Sequence, residues 1–340
     1  MYCLGIESTA HTFACSVVEL TNGRGKILSD IRSIYKPPEG AGIHPREASR
    51  HHAEQSSAVL SDTLIAAKIN LGDIDAIAYS AGPGLGPCLR IGAVVGRCLA
   101  AYHKKPLVSV NHAIGHLELG MFLTGAKDPL VLLVSGGHSM ILALSNGKWR
   151  VFGETLDITI GQLLDQFGRA VGFASPCGAR IEELSMQSNN YLHLPYTVKG
   201  NDVSYSGLLT AAKRFVSSNK LQDVCFSLQE TAFAMVAEVV ERALALCNKK
   251  ELLIVGGVAA NKRLANMLNN VCKRQKTKFL VPPINYAGDC GAQIAWTGIL
   301  QFRAGIKSNI EEAFVRPSWR LKATNIQTWR SFPVSTLPTN

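Results

Sequence analysis

The chain has 340 residues, of which 47% are hydrophobic and 18% are charged, and its formal net charge is +10 at pH 7. This globular mixture is long enough for two domains and excludes a disordered chain. The nine cysteines form no C-x-x-C pair, which argues against a disulfide scaffold and a cysteine-based zinc site. No apolar run could span a bilayer and no targeting signal is visible, so we expect a cytoplasmic protein without membrane partners. The positive excess hints at a polyanionic partner such as nucleic acid.

The first third of the chain alternates predicted strands and helices. Residues 3–20 indicate a strand, a tight turn at 8–12 and a second strand. The pattern then predicts a strand over 27–35, a loop over 36–42, a helix over 45–68, a strand over 74–80, a helix over 89–103 and a strand over 106–110. This alternation is typical of an α/β fold.

The rest of the chain repeats this plan. The patterns predict strand, turn and strand over 130–144, helices over 160–171 and 224–247, a strand over 251–255, a helix after 261 and a last helix over 291–302. Each half therefore pairs a strand–turn–strand unit with a later strand, glycine turn and helix, which indicates a weak internal duplication. The sequence turns polar after Trp319 and predicts a surface tail.

Two histidines stand four residues apart in the predicted helix after residue 110. His112 and His116 therefore share one helix face, and neutral imidazole is the commonest metal ligand. A divalent metal would need at least one further ligand, usually a carboxylate from elsewhere. The alternative is a pair of polar histidines on a partly buried face, because this spacing alone has a high false-positive rate.

Two glycine turns follow predicted apolar strands. Gly136 and Gly137 end one strand, and Gly256 and Gly257 end another, just before Asn261. Glycine lets a phosphate approach backbone N–H groups, and a following helix adds its positive end. Neither turn is a P-loop or a full dinucleotide fingerprint, so each could be a plain tight turn. Two of them favour a nucleotide bound between the halves, where Asn261 could bond to a ribose or base.

Nine motifs follow one another in the order of one known family. They are GIESTAHT, NHAIGHLE, LLVSGGHS, VFGETLDITIG, LPYTVKG, SYSGLLTA, SLQETAFA, VGGVAANKRL and DCGAQIAWTG. Together, over residues 4–304, they closely resemble the universal tRNA threonylcarbamoyltransferase family, in the archaeal and eukaryotic form that is the catalytic subunit of the KEOPS complex. The resemblance implies an α/β, actin/hexokinase-like (ASKHA) duplicated fold with two domains around a central cleft. It also implies transfer of a threonylcarbamoyl group from threonylcarbamoyl-AMP to N6 of the adenosine beside the anticodon, in tRNAs that read codons beginning with A.

The resemblance assigns roles to individual residues. The metal ligands fall on His112, His116 and Asp289. The substrate pocket falls on the segment that ends at the first glycine turn and on four later residues, namely Leu133, Val134, Ser135, Gly136, Gly137, Asp165, Gly178, Glu182 and Asn261. The two carboxylates would accept bonds from ribose hydroxyls, although a solvated carboxylate or local salt bridge is the alternative for each. His11 is predicted to act as a general base or to position the substrate.

The resemblance also implies ligands and partners. We expect one divalent metal per subunit, Fe2+ first and Zn2+ as the alternative, with threonylcarbamoyl-AMP or ATP in the cleft. The partners would be tRNA, a small atypical protein kinase/ATPase and the small helper subunits of KEOPS. The first domain would comprise residues 1–129 with 294–325, the second 130–293, and 326–340 would form a C-terminal tail.

The chain departs from the family pattern at three places. Leu133 stands where the archaeal form often has a tyrosine that contacts the metal, so three protein ligands plus substrate or water are expected. The loop over 175–179 replaces a P-G-G-P turn but keeps Gly178. Cys290 replaces an asparagine after Asp289, and a buried bystander is the first interpretation of this thiol.

Two other functions compete with the transferase. A metalloprotease could carry an H-x-x-x-H pair, but Ala113 stands where that class has its glutamate base. A nucleotide-binding module that serves assembly without group transfer is also compatible with the fold.

Overall fold

Two five-stranded mixed sheets of the same strand order form the centre of the protein, and a third sheet has two strands. The computed structural model describes residues 1–321 and Trp329. The first half contains, in chain order, β1 (Tyr2–Glu7), β2 (Thr12–Thr21), β3 (Arg24–Ile34), α1 (Pro45–Ala67), β4 (Ala76–Gly82), α2 (Gly86–Tyr102), β5 (Leu107–Asn111) and α3 (His112–Thr124). Its sheet has the order β3-β2-β1-β4-β5, in which β1, β2 and β3 are antiparallel neighbours and β1, β4 and β5 are parallel.

The second half repeats this topology. Its elements are β6 (Leu130–Val134), β7 (Ser139–Ser145), β8 (Lys148–Glu154), α4 (Ile160–Ala170), α5 (Gly178–Ser185), β9 (Val198–Lys199), β10 (Asp202–Val203), α6 (Ser206–Phe215), α7 (Leu221–Cys247), β11 (Glu251–Val255), α8 (Lys262–Arg274), β12 (Lys278–Leu280) and α9 (Gly291–Arg303). The sheet order β8-β7-β6-β11-β12, antiparallel on one side of β6 and parallel on the other, matches that of the first sheet. The predicted α/β duplication is therefore confirmed at the level of topology, while the domain bounds stay a prediction.

The strand β6 contributes side chains to two hydrophobic cores, one on each face of its sheet. Val134 and the other even-numbered residues of this strand lie in the core of the second half, whereas Val131 and Leu133 lie in a core shared with the first half. Successive side chains of a strand point to opposite faces, so an unbroken apolar strand is buried on both faces. The shared core also contains α3 and α9, and α9 packs against β1, β2 and β4.

The sequence patterns missed several short elements. The strands β8, β9, β10 and β12 and the helices α5 and α6 were not predicted. The eight-residue α5 carries exposed charges, and the three-residue β12 is too short for a clear periodicity. None of the helices in the described part of the chain combines the length with the apolar composition that crossing a bilayer requires.

The prediction of a surface tail is partly wrong. Leu321 and Trp329 are 7% and 2% exposed and belong to the shared core. An indole removed from water adds apolar burial that a polar tail would not provide. Arg320 is exposed, as predicted, and the other residues of the predicted tail, 322–328 and 330–340, lie outside the described residues.

Candidate metal centre

The helix α3 begins where the sheet of the first half ends. Asn111 is the last residue of β5, and its side-chain oxygen accepts hydrogen bonds from the N–H groups of Ala113 and Ile114. An asparagine at this position satisfies N–H groups that the first turn leaves without partners. The cap therefore places His112 as the first helical residue and His116 one turn later on the same face.

The third ligand candidate comes from the residues just before α9. Asp289 Oδ1 lies 3.3 Å from His116 Nε2 and 3.6 Å from His112 Nε2. The start of α9 is held in place by Asp30, whose Oδ1 accepts a bond from Ala292 N at 2.9 Å. The structure thus brings together three residues that the sequence places far apart.

The donor set fits a divalent metal. The candidate ligand atoms of His112, His116 and Asp289 all lie within 4.8 Å of one another. Ligands bound at about 2.0–2.2 Å to one ion lie about 3–3.5 Å apart, close to the distances between Asp289 Oδ1 and the two imidazoles. Two imidazole nitrogens and one carboxylate oxygen are donors that iron and zinc both accept.

His112 is oriented by a carboxylate behind it. Its Nδ1 donates to Glu7 Oε2 at 2.9 Å, which leaves Nε2 directed toward Asp289. Thr9 Oγ1 and Gln293 Nε2 lie 3.3 and 3.0 Å from the same Nδ1. Carboxylates in this position fix the tautomer of a ligating histidine and raise its basicity.

Burial and neighbouring charges have opposite effects on the pKa values of His112 and Asp289. Burial alone would lower the pKa of His112, but the carboxylates of Glu7 and Asp289 outweigh it and raise the pKa to about 9. Burial would raise the pKa of Asp289, yet the two neighbouring histidines hold it well below the usual range. Burial lowers the pKa of His116. Without metal, His112 is therefore expected to be protonated and to face the ionised carboxylate of Asp289.

Metal affinity is expected to rise with pH. Below the pKa of about 9, metal-free His112 holds a proton that a metal must displace from Nε2. Affinity should therefore increase by up to about tenfold per pH unit from neutral pH and level off near that pKa. Glu7→Gln removes one charge that raises the pKa, so its curve should level off at lower pH. Competition titrations with a chelating dye measure both curves, and an affinity independent of pH would contradict the assignment.

His11 lies on the Asp289 side of this group. The side chain is half-buried, and its charge contributes to lowering the pKa of Asp289. Its Nδ1 is buried without a hydrogen-bond partner among the described residues. The predicted catalytic histidine therefore lies near Asp289, and one of its ring nitrogens has no partner among the residues that the structure describes.

The glycine turn after β6 is open. Gly136 and Gly137 are exposed, and a Cβ at either would meet nothing within 4 Å. Ser135 Oγ accepts bonds from two N–H groups of the turn, at 3.2 and 3.0 Å. Leu133 and Val134 are fully buried in the two cores, so their side chains are not part of an open pocket and any ligand contact would fall to their backbone.

The other predicted pocket residues hold helix starts. Asp165 Oδ1 accepts from the N–H of Cys177 at 2.7 Å, just before Gly178 begins α5. Glu182 Oε1 accepts from the N–H of Lys262 at 2.8 Å, at the start of α8. Each bond uses one oxygen of its carboxylate.

Asn261 is engaged on both sides of its amide. Its oxygen caps α8 by accepting from Arg263 N and Leu264 N, and its Nδ2 donates to Gln229 Oε1 at 2.9 Å. An amide nitrogen carries two hydrogens and the bond to Gln229 uses one, so the bond from Asn261 to a ribose or base stays a prediction. Asparagine directly before a helix is a strong capping signal, and this signal was available in the sequence.

The sequence reasoning missed two residues of the site. One is Glu7, in the first motif, which hydrogen-bonds His112. The other is His138, whose ring stacks on that of His112 at 6.5 Å between centroids and 24° between planes. Burial lowers the pKa of His138 to about 3, and its Nδ1 has no partner among the described residues. In the sequence, the only indication of a role for Glu7 and His138 was that they lie in the motifs GIESTAHT and LLVSGGHS.

Comparisons with known proteins show which family this chain resembles. A family described as "TsaD: tRNA N6-adenosine threonylcarbamoyltransferase" matches residues 26–296. A protein of that enzyme name from Caldivirga maquilingensis is 46% identical over 336 residues, covering 98% of this chain and 100% of its own. Another from Archaeoglobus fulgidus is 48% identical over 327 residues, covering 96% and 99%.

Two further similarities cover only part of the other protein. A "probable bifunctional tRNA threonylcarbamoyladenosine biosynthesis protein" from Methanosarcina mazei is 46% identical, and the match covers 96% of this chain but 59% of that protein. The crystal structure of T. kodakarensis HypF superposes with a TM-score of 0.62 at 12% identity, over 88% of this chain and 47% of HypF. The second similarity concerns the fold alone.

Proposed function

The chain belongs to the tRNA N6-adenosine threonylcarbamoyltransferase family, and from this premise we propose that it transfers a threonylcarbamoyl group from threonylcarbamoyl-AMP to tRNA. The acceptor is N6 of the adenosine beside the anticodon in tRNAs that read codons beginning with A. In this step N6 forms a bond to the carbamoyl carbon, the bond from that carbon to the phosphate oxygen breaks, and AMP leaves. The observation that carries the proposal is the cluster of His112, His116 and Asp289.

We propose that these three residues hold one Fe2+, with Zn2+ as the alternative. A bound ion would act as a Lewis acid toward the acyl end of the substrate. Leu133 offers no ligand atom and its side chain is buried in the shared core, so the protein contributes three ligands. Glu7 keeps Nε2 of His112 available to the ion by holding the proton on Nδ1.

The chain's other residues would bind the adenylate and move one proton. The open backbone at Gly136 and Gly137 can approach a phosphate group. Asp165 and Glu182 can accept bonds from ribose hydroxyls through the oxygens that the helix starts leave unused. His11 Nδ1, buried and without a partner among the described residues, would accept the proton that N6 loses.

The proposal also covers the fold class of the protein and its partners. The matching strand orders support an actin/hexokinase-like (ASKHA) fold with the substrate in a central cleft between two domains. We propose that the protein works in the cytoplasm with the KEOPS kinase/ATPase and small helper subunits. The match with the bifunctional relative covers 59% of that protein, so the rest of that protein is a further component. This supports the proposal that the present chain works with a partner. The net charge of +10 suits a tRNA partner.

A transfer assay tests this function. The protein, with partner subunits supplied, is incubated with threonylcarbamoyl-AMP and a tRNA that carries adenosine beside the anticodon, and the nucleosides are analysed by mass spectrometry. We expect threonylcarbamoyladenosine to form and a tRNA with another base at that position to stay unmodified. Absence of the modified nucleoside in the complete mixture would contradict the proposal.

A further inference from the structure

Three consecutive carbonyl groups in the turn between β1 and β2 are each held by a different element. The carbonyl of Thr9 accepts a bond of 2.7 Å from the N–H that precedes α2, and that of His11 accepts one of 2.8 Å from the N–H that follows β3. Between them, the carbonyl of Ala10 lies 3.1 Å from Nε2 of His52 in α1. The middle of the turn is thus anchored by a side chain, and that side chain is fully buried.

The hydrogen bonds define which nitrogen of each histidine carries the proton. A carbonyl can only accept, so Nε2 of His52 donates to Ala10. Burial lowers the pKa of His52 to about 4, so the ring is neutral at pH 7 and its Nδ1 is an acceptor. That Nδ1 lies 3.4 Å from Nδ1 of His51, which must then be the donor. The remaining Nε2 of His51 accepts from the hydroxyl of Ser33 at 3.0 Å.

This arrangement links β3 to the turn that faces the metal centre. Ser33 on β3 orients His51, His51 orients His52, and His52 holds Ala10. The residues on either side of Ala10 are those that face the site. Thr9 Oγ1 lies 3.3 Å from His112 Nδ1, and His11 is close enough for its charge to act on Asp289.

We propose that His52 is a positioning residue for the transfer reaction: as the Nε2–H tautomer, oriented by His51, it fixes the turn that presents Thr9 and His11 to the metal centre. The inference rests on the proposed function, since the position of His11 matters for transfer only if the reaction takes place beside Asp289. His52 reaches the turn through the backbone of Ala10, so it acts on the site through Thr9 and His11.

The first test compares two replacements of His52 by their transfer rates at saturating substrate. His52→Leu removes the donor and keeps most of the bulk, and we expect its rate to fall by about ten- to a hundredfold, because a small displacement of reacting groups has such effects. His52→Gln keeps an N–H that can donate to Ala10, and it should recover most of the rate. Metal content and KM for tRNA should stay close to those of the wild type. His103→Leu, at the far end of α2, is the matched control and should keep full activity.

Two results of this comparison would overturn the inference. One is a folded His52→Leu protein that transfers at the wild-type rate. The other is an equal loss in His52→Leu and His52→Gln, which would show that the volume of the ring matters and its N–H does not.

A second measurement reads the protonation of the histidines directly, without a transfer rate and without a substitution in the core. Nitrogen-15 spectra of the histidines in the wild-type protein at pH 7 should show His52 protonated at Nε2 only and His51 protonated at Nδ1 only, with the His51 signals assigned by their loss in His51→Gln. A wild-type protein that transfers nothing would overturn the proposed function and with it the positioning role. An active wild-type protein with His52 protonated at Nδ1 would overturn this inference alone.

Discussion

Each of the replacements His112→Ala, His116→Ala and Asp289→Ala is expected to abolish metal binding and to lower the transfer rate by at least about a hundredfold. The three candidate ligand atoms lie within 4.8 Å of one another, so any one deletion leaves two donors facing a largely buried space. Two donors hold a divalent ion far more weakly than three in a fixed geometry. Metal per chain after dialysis and the yield of modified nucleoside measure the two losses.

A matched control separates loss of the site from loss of the fold. His193→Ala removes an exposed histidine whose ring contacts Tyr191 at 5.6 Å, and it should keep both metal and activity. The ligand variants should keep the wild-type circular dichroism spectrum, because each alanine shortens a side chain at one edge of the shared core. Undiminished metal binding in all three ligand variants would contradict the proposed metal site.

Part of the metal centre could be predicted from local sequence. The spacing of His112 and His116 places two imidazoles on one helix face, and Asn111 before them is a recognisable cap. Asp289 lies 173 residues beyond His116, and no periodicity links the two. Its assignment depended on the family resemblance, and the structure brings its carboxylate to both histidines.

The remainder depends on contacts that a sequence pattern does not encode. Glu7 meets His112 across 105 residues because β1 and β5 lie in the same sheet with one strand between them. Asn261 shows the opposite difficulty, since an amide can bind a ribose as well as cap a helix, and the bond to Gln229 depends on the packing of α7 against α8, which no local pattern encodes. His52 carries no periodic signal at all, because its importance depends on the carbonyl of Ala10 that it reaches from a neighbouring helix.

The contact between β1 and α9 leads to the largest expected change in stability, for Gly5→Ala. A Cβ at Gly5 would lie 2.2 Å from Ala295 N and 2.5 Å from Gly291 O, both in the backbone of α9. Backbone atoms of a packed helix cannot turn aside as a side chain can, so α9 must shift as a unit. We expect the free energy of unfolding to fall by about 3 kcal/mol, with a Tm lower by several degrees.

The same displacement should weaken metal binding, because α9 begins two residues after Asp289. Gly207→Ala is the matched control: Gly207 is exposed in the first turn of α6, where a Cβ meets nothing within 4 Å. That variant should change stability by less than about 1 kcal/mol, in the stabilising direction, because alanine favours a helix over glycine. Thermal melts of both variants with and without added Fe2+ or Zn2+ measure the two effects. A Gly5→Ala protein as stable as the wild type would mean that α9 does not lie against β1, and Asp289 would then lose the support that directs it at His112 and His116.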